Sequence, residues 1–405
     1  MSLAPTLRIV ANELRRELAA RLKRTWRSAA HRQRPLRIGV DIRPFYEPLT
    51  GVGWYLYDLL HELAKRDDVE LYLFGDARIT DIGPRLHADL PANAKLCTFD
   101  LRGHGLGRLD RPLTAAAYVA WIGLADCDVF FGANYFLPRL HAAVAKKRVI
   151  TIHDLTYKRF PELLQKETLA NLEMLMQREI AIADAIVCVS EATREDLLRF
   201  YRVDPKRAFA IHSGLGVTTR AHEPVDGLPS RYILFVSTVE PRKNLATLLD
   251  AYESLRDSGA YDGSLVVVGK IGWKSESIVP RLKGRGVVHL DYLRAGQLAN
   301  VYANAEAFVF PSIYEGFGFP LLEAMSHGVP TIAARSSSLP EIGGDAALYF
   351  EPRDARALAS LIQRVTTDAA LRDDLASRGR ARAAQFRWDV TAEKTLEVLR
   401  HVATL

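Results

Sequence analysis

From Leu36 onward, short apolar and β-branched runs alternate with longer stretches in which apolar positions recur every three or four residues, joined by glycine and polar residues. Runs of four to six apolar residues mark buried strands and a 3.6-residue period marks helices, so the alternation predicts parallel βαβ units. In the first half it predicts strands over Arg37–Asp41, Glu70–Phe74, Val129–Gly132, Arg148–His153 and Ala185–Val189. A loop, Ile42–Gly53, and helices over Trp54–Arg66, Lys166–Ala183 and from Ser190 fall between them. The pattern restarts at Arg231, with strands Tyr232–Ser237, Leu265–Gly269, Val287–Leu290, Ala307–Phe310 and Thr331–Ala334 and helices Pro241–Leu255, Ala295–Ala305 and Pro320–His327. Ala221–Ser230, bearing Pro and Gly, reads as the linker between the halves. The predicted fold class is α/β: two facing, Rossmann-like, doubly wound parallel sheets with a deep cleft between them. The expected divisions are an arm over 1–35, a first domain over 36–220, a second over 221–388 and a terminal helix over 389–405. Whether that helix packs back on the first domain is left open.

Residues 1–35 follow a different pattern. Leu7, Ala11, Leu14, Leu18, Leu22 and Trp26 share one stripe of a helix predicted from Leu7 to Ser28, while most of its arginines lie elsewhere around it. The chain has 405 residues, with 48% hydrophobic and 25% charged, a balance that fits a soluble globular protein and excludes collagenous, disordered and polytopic membrane classes. Its net charge of +6 is concentrated at the start: residues 1–37 hold nine Arg and one Lys against two Glu, a local +8 that leaves the rest at −2. A nucleic-acid partner, which would ask for a basic folded face with aromatic platforms, is therefore not expected. The basic arm has three readings: docking on an anionic membrane surface through residues 1–30, packing on the protein itself or a second subunit, and a cleavable presequence. No secretory signal is apparent, and the best apolar run, near Ala115 to Leu124, is far short of the ~18–20 residues of a membrane span. Cys97, Cys127 and Cys188 are widely spaced and odd in number, which fits a reducing cytoplasm, with attachment to the cytoplasmic face of a membrane if the arm docks there.

Four segments carry candidate chemistry. In Pro311-Ser312-Ile313-Tyr314-Glu315-Gly316-Phe317-Gly318-Phe319-Pro320-Leu321-Leu322-Glu323, Pro320 suits the first position of a helix, so the turn before it presents backbone N–H groups to an anion or hydroxyl. Glu315 is placed in the loop and Glu323 in the first helical turn, two carboxylates that reach different hydroxyls of one ligand. Glu240-Pro241-Arg242-Lys243-Asn244 puts two cations in the first turn of a helix, against the dipole, unless an anion sits there. Thr50-Gly51-Val52-Gly53 allows close approach of backbone to a phosphate or an acceptor, or is simply a tight turn. His153-Asp154 closes an apolar strand, where open α/β sheets place their ligands.

Together and in this order, these segments resemble the large retaining glycosyltransferases of the GT-B fold, family 4, over about residues 36–400. The resemblance implies a hexosyltransferase in which His153, Glu315 and Lys243 are catalytic: Glu315 on hydroxyls of the transferred sugar, Lys243 on the diphosphate, His153 near the reacting centre. It assigns donor binding to Gly51, Gly53, Arg242, Gly269, Lys270, Tyr292, Leu293, Gly316, Phe317, Gly318 and Glu323, with Glu323 on the ribose. Ser237-Thr238 departs from the Gly-Arg or Gly-Thr of many relatives, so a second phosphate-binding arginine is missing there, and whether Arg242 substitutes is open. The segments Val268–Trp273 and Asp291–Leu293 look like the branch rich in mannosyltransferases that use GDP-mannose, with a saccharide or lipid-linked saccharide of a cell-surface polysaccharide as acceptor; a UDP-sugar donor is the alternative. The resemblance implies no metal and no cofactor beyond the nucleotide sugar. Asp126-Cys127-Asp128 is a DxD string, but it directly precedes a first-half strand and reads as a turn. Rivals are an epimerase or a non-catalytic binding protein on the same scaffold, and a dinucleotide oxidoreductase, which lacks a convincing GxGxxG after its first strand.

Overall fold

The computed structural model describes residues 34–45, 51–75, 93–98, 110–135, 137, 145–164, 166–216 and 222–405. The expected helix of the arm, and Thr50, lie outside them. The first lobe is a parallel sheet of β1 (Leu36–Asp41), β2 (Val69–Gly75), β3 (Ala94–Thr98), β4 (Val129–Gly132), β5 (Arg148–Ile152), β6 (Ala185–Cys188) and β7 (Ala208–Ala210), in the order β3-β2-β1-β4-β5-β6-β7. The second is a parallel sheet of β8 (Tyr232–Val236), β9 (Ser264–Val268), β10 (Val287–Leu290), β11 (Ala307–Phe310), β12 (Thr331–Ala334) and β13 (Ala347–Phe350), in the order β10-β9-β8-β11-β12-β13. Each order reverses beside the strand that comes first in sequence, and ligands of doubly wound sheets collect at such a switch point, at the carboxyl ends of the strands.

Helices cover the sheets because their apolar stripes match the strand faces. In α1 (Gly51–Leu63), Tyr55, Leu56, Leu59, Leu60 and Leu63 are buried, in the same core as Ile38 and Val40 of β1. Each such side chain withdrawn from water contributes about 1.5–3 kcal/mol. The other α-helices of the described residues are α2 (Asp110–Ala125), α3 (Thr156–Arg159), α4 (Lys166–Ile182), α5 (Glu191–Phe200), α6 (Leu245–Asp257), α7 (Ala295–Ala303), α8 (Phe319–Ser326), α9 (Leu339–Gly343), α10 (Ala355–Thr367), α11 (Ala369–Ala383) and α12 (Trp388–Thr404).

Three boundaries differ from the sequence pattern where they bear on the site. The segment predicted as a loop to Gly53 is helical from Gly51, so both glycines lie in the first turn of α1. The helix predicted from Pro241 is split: Pro241–Lys243 is a 3-10 turn and Asn244, at φ 55°, separates it from α6. Finally, α8 starts at Phe319 with Pro320 second, so Glu323 is its fifth residue and lies beyond the first turn.

The chain passes from the first lobe to the second between β7 and β8 and comes back at α12. This helix packs along α1: Arg66 pairs with Glu393, Arg400 with Asp68, and the rings of Trp388 and Tyr55 stand 5.6 Å apart. Thr391 Oγ1 donates to the carbonyl of His212 at 2.8 Å, and the N–H of Leu215 to the carbonyl of Phe386 at 2.9 Å. No helix among the described residues is long and apolar enough to cross a membrane.

Candidate active site

The loop between β11 and α8 lies on the turn after β8. Asn244 Nδ2 donates to the carbonyls of Pro311 (3.0 Å) and Pro352 (2.5 Å), and the N–H of Ile313 to the carbonyl of Arg242 at 2.9 Å. This seats Glu315 between two cations, with Lys243 Nζ 2.6 Å from Oε1 and Arg242 Nη1 2.9 Å from Oε2. Arg242 also holds Glu240, Nη2 to Oε1, at 2.9 Å. Glu315 is 7% exposed and Lys243 9%, so the pair is largely withdrawn from water. Burial alone would raise the Glu315 carboxyl, but Arg242 and Lys243 outweigh it and hold it at about 2. The two cations that looked misplaced at a helix start are thus directed at an acid 72 and 73 residues further on.

Glu323 has a different setting. Its Oε2 accepts the hydroxyl of Tyr302 on α7 at 2.9 Å, and the Tyr302 ring is stacked on His327 with centroids 5.5 Å apart. Burial raises its carboxyl above the usual range, and the Tyr302 hydrogen bond only partly opposes this. The structure therefore brings Glu315, Lys243 and Arg242 into contact with one another and gives Glu323 a partner of its own.

The opposite wall comes from the first lobe. His153 Nε2 is 2.7 Å from the carbonyl of Ala133, which can only accept, so Nε2 carries the proton and Nδ1 offers a lone pair. Burial lowers the imidazole below its ordinary value, against the opposing pull of the Ala133 carbonyl and Asp154, and so favours the neutral ring. Tyr55 and Tyr135 meet it edge-on at 5.0 and 6.0 Å. Gly316 touches this wall: a Cβ there would stand 1.6 Å from the carbonyl oxygen of His153, a separation no side chain permits. Phe317 is buried, and Gly318, at φ 106°, caps α8. At the start of α1, Gly51 faces open space and Gly53 is buried.

Gly269, Lys270, Tyr292 and Leu293 follow β9 and β10, on the far side of β8 from Glu315. Gly269, at φ 142°, is required by sterics, because a Cβ would lie 2.0 Å from the carbonyl oxygen of Ser237. Lys270 Nζ stands 5.8 Å over the ring of Tyr292, which is 74% exposed, and Leu293 is half-buried. Along the carboxyl edge of the second sheet the candidates thus run in strand order: Tyr292 and Leu293 after β10, Gly269 and Lys270 after β9, Arg242 and Lys243 after β8, Glu315 after β11.

Several contributors escaped the sequence pattern. Ser337 Oγ accepts the N–H of Glu315 at 2.7 Å, and Ser338 Oγ donates to the carbonyls of Glu315 (3.0 Å) and Phe317 (2.9 Å). The run Ser336-Ser337-Ser338, one residue beyond an apolar strand, was the available signal. Glu341 reaches across to the first lobe and accepts the N–H groups of Glu191 (2.7 Å) and Ala192 (3.0 Å) at the start of α5, together with His212 Nε2 at 2.5 Å. The DxD string lies at the opposite end of the first sheet from His153: Asp128 takes Arg34 (2.6 Å) and the N–H of Arg37 (3.1 Å), while Asp126 meets Arg37 (3.3 Å) and Lys146 (2.7 Å). Among the described residues no group of three His, Cys, Asp or Glu side chains is placed to hold a metal ion.

With this geometry in view, the sequence model of Glycosyltransferase Family 4 matches residues 49–218 and that of Glycosyl transferases group 1 matches residues 223–382. An O-antigen chain mannosyltransferase B of Escherichia coli is 32% identical over 389 residues, which cover 89% of this chain and 98% of that protein. The chain belongs to the family 4 glycosyltransferases. A second relative of this glycosyltransferase, a D-inositol 3-phosphate glycosyltransferase of Streptomyces bingchenggensis, is 26% identical over 411 residues, 90% of this chain and 89% of its own. The fold is shared with sucrose-phosphate synthase of Thermosynechococcus elongatus (TM-score 0.69, 20% identity, 90% of this chain and 98% of the other). It is shared also with Anabaena HepE in complex with UDP and glucose (TM-score 0.66, 18% identity, 90% and 100%). The glycosyltransferase is thus of GT-B architecture, with its candidate site where the two lobes meet.

Proposed function

We propose that this glycosyltransferase moves mannose from GDP-mannose, with retention of configuration and without a metal ion, to a saccharide or lipid-linked saccharide of a cell-surface polysaccharide. The observation that carries the reading is Glu315, an ionised carboxylate held by Lys243 and Arg242 in the loop that touches the His153 strand end. The similarity to a protein named O-antigen chain mannosyltransferase supports the sugar and the type of product. The strand order supports the donor's lie: β10 to β11 spans three inter-strand steps of about 4.8 Å, enough for a base at Tyr292 and Leu293, a ribose near Glu323 and a diphosphate near Lys270 and Lys243.

In this reading Glu315 accepts hydroxyls of the sugar, helped by the N–H groups of Gly316, Phe317 and Gly318, while His153 Nδ1 accepts another. Breaking the anomeric C–O bond leaves positive charge on the sugar and negative charge on the nucleoside diphosphate; Lys243, Arg242 and the N–H groups of Gly51 and Gly53 stabilise the latter. The acceptor oxygen bonds to the anomeric carbon from the same face, and its proton passes to the departing phosphate. Residues 1–30 carry the basic, Leu/Trp-striped pattern that would hold the enzyme on an anionic membrane surface near a lipid-linked acceptor.

The test is release of free nucleoside diphosphate from GDP-mannose, UDP-glucose and UDP-galactose, with and without a polysaccharide acceptor, in buffer containing a chelator. GDP released only when both acceptor and GDP-mannose are present, and an α-linked product by NMR, are expected. Faster turnover of a UDP-sugar, a β-linked product or abolition by chelator each overturns the corresponding part.

A further inference from the structure

Contacts from the first lobe converge on the two residues flanking Glu315. Tyr314 is 3% exposed; its hydroxyl accepts the N–H of Leu155 at 3.1 Å and donates to Asp196 Oδ2 at 2.8 Å. Asp196, on α5 and also 3% exposed, is fixed in turn by Arg159, whose Nε and Nη2 reach Oδ1 at 2.9 and 2.7 Å. On the other side of Glu315, the carbonyl of Gly316 accepts Ser190 Oγ at 2.6 Å and Thr193 Oγ1 at 3.2 Å. The carbonyl of Tyr314 shares Arg242 Nη1 with Glu315 Oε2, both at 2.9 Å.

Leu155 follows His153 by two residues, so one phenol joins the His153 strand end, a helix of the same lobe and the backbone beside Glu315. A hydroxyl that accepts from an N–H and donates to a carboxylate in a buried site has both of its directions fixed. We infer that Tyr314 is a positioning residue: its bond to Asp196 sets the loop of the second lobe against the first, so that Glu315 and His153 face one sugar at the correct separation. The inference rests on the transferase reading above. Nucleotide contacts come mainly from the second lobe, so a residue that aligns the lobes acts on turnover and not on nucleotide affinity.

The experiment compares Tyr314→Phe, Asp196→Asn and the double variant, each checked for folding by circular dichroism and thermal melting. Losing a hydrogen bond to a charged group is expected to lower kcat of Tyr314→Phe about tenfold to a hundredfold, with donor KM and GDP affinity unchanged. Asp196→Asn, which keeps the shape and an acceptor, falls less, and the double variant is no slower than Tyr314→Phe, because both changes act on one bond. The Leu155 amide, deprived of its partner, exchanges with deuterium faster in Tyr314→Phe. An unchanged kcat, a KM that rises at constant kcat, or losses that multiply in the double variant overturn the inference; if Tyr314→Phe fails to fold, the kcat–KM split of Asp196→Asn decides. A wild-type protein that transfers no sugar overturns the reaction and the inference together, whereas wild-type turnover matched by folded Tyr314→Phe overturns the inference alone.

Discussion

Glu315 and Glu323 come from one motif, eight residues apart, and their carboxyls are displaced in opposite directions. Glu315 is the more buried, yet it is held at about 2 because Arg242 and Lys243 touch it. Glu323 meets only the phenol of Tyr302 among the partners described, and burial raises it. Burial therefore does not set the state of an acid here; the presence of a counter-charge does. The first acid is part of a preformed ion cluster, while the second has acceptor capacity that a ligand hydroxyl would satisfy.

The strongest test of this contrast is Glu315→Gln, which leaves Lys243 and Arg242 facing a neutral amide. Stability measured in urea is expected to fall by about 3–5 kcal/mol, as when one partner of a buried ion pair is removed. Turnover is expected to fall about a hundredfold to a thousandfold, the scale of losing a charge-stabilising group at a reacting centre. A variant as stable and active as the wild type would show that the cluster is incidental. Glu323→Gln removes a charge without stranding a cation: GDP affinity by calorimetry is expected to drop about tenfold, the scale of one charge-assisted hydrogen bond, while stability stays level or rises. An equal loss of stability in both variants would erase the distinction.

The smallest effect is in pH. The folded value of Glu323 lies above its ordinary value of 4.5, so the folded state holds this proton more tightly and its contribution to stability grows as pH falls through the folded value. Glu315, at about 2, contributes stability that is fully present above 4.5 and is lost as pH falls towards 2. Subtracting the urea-stability profile of Glu323→Gln from that of the wild type should leave a difference that rises on mild acidification. A flat difference would place the Glu323 carboxyl at its ordinary value.

Interior strands such as β1, β4, β8 and β11 were legible because neighbours on both sides and helices on both faces demand continuous apolar runs. Of the edge strands, β10 was legible and β3, β7 and β13 were not: Ala94–Thr98 contains Lys95, Ala208–Ala210 is three residues long, and Ala347–Phe350 is only four. Gly51 and Gly53 read as a loop because glycine is a poor helix former, yet α1 begins there and buries Gly53 with Tyr55 and Leu56. The acids and cations of the candidate site could be picked out individually, as charges in places where local structure does not favour them. Their pairing could not, since Lys243 and Glu315 are brought together by the parallel pairing of β8 with β11, and Tyr314 and Asp196, 118 residues apart, by the meeting of two lobes. Glu341 at the start of α5 was hidden for the same reason.

The return of α12 to the first lobe means that polypeptide joins the halves at two places, once before β8 and once before Trp388. A body hung on two pins turns easily about the line through both and resists every other displacement, since twisting or sliding strains both connections at once. Rotation about that line is thereby the displacement of one lobe against the other that strains the two crossings least.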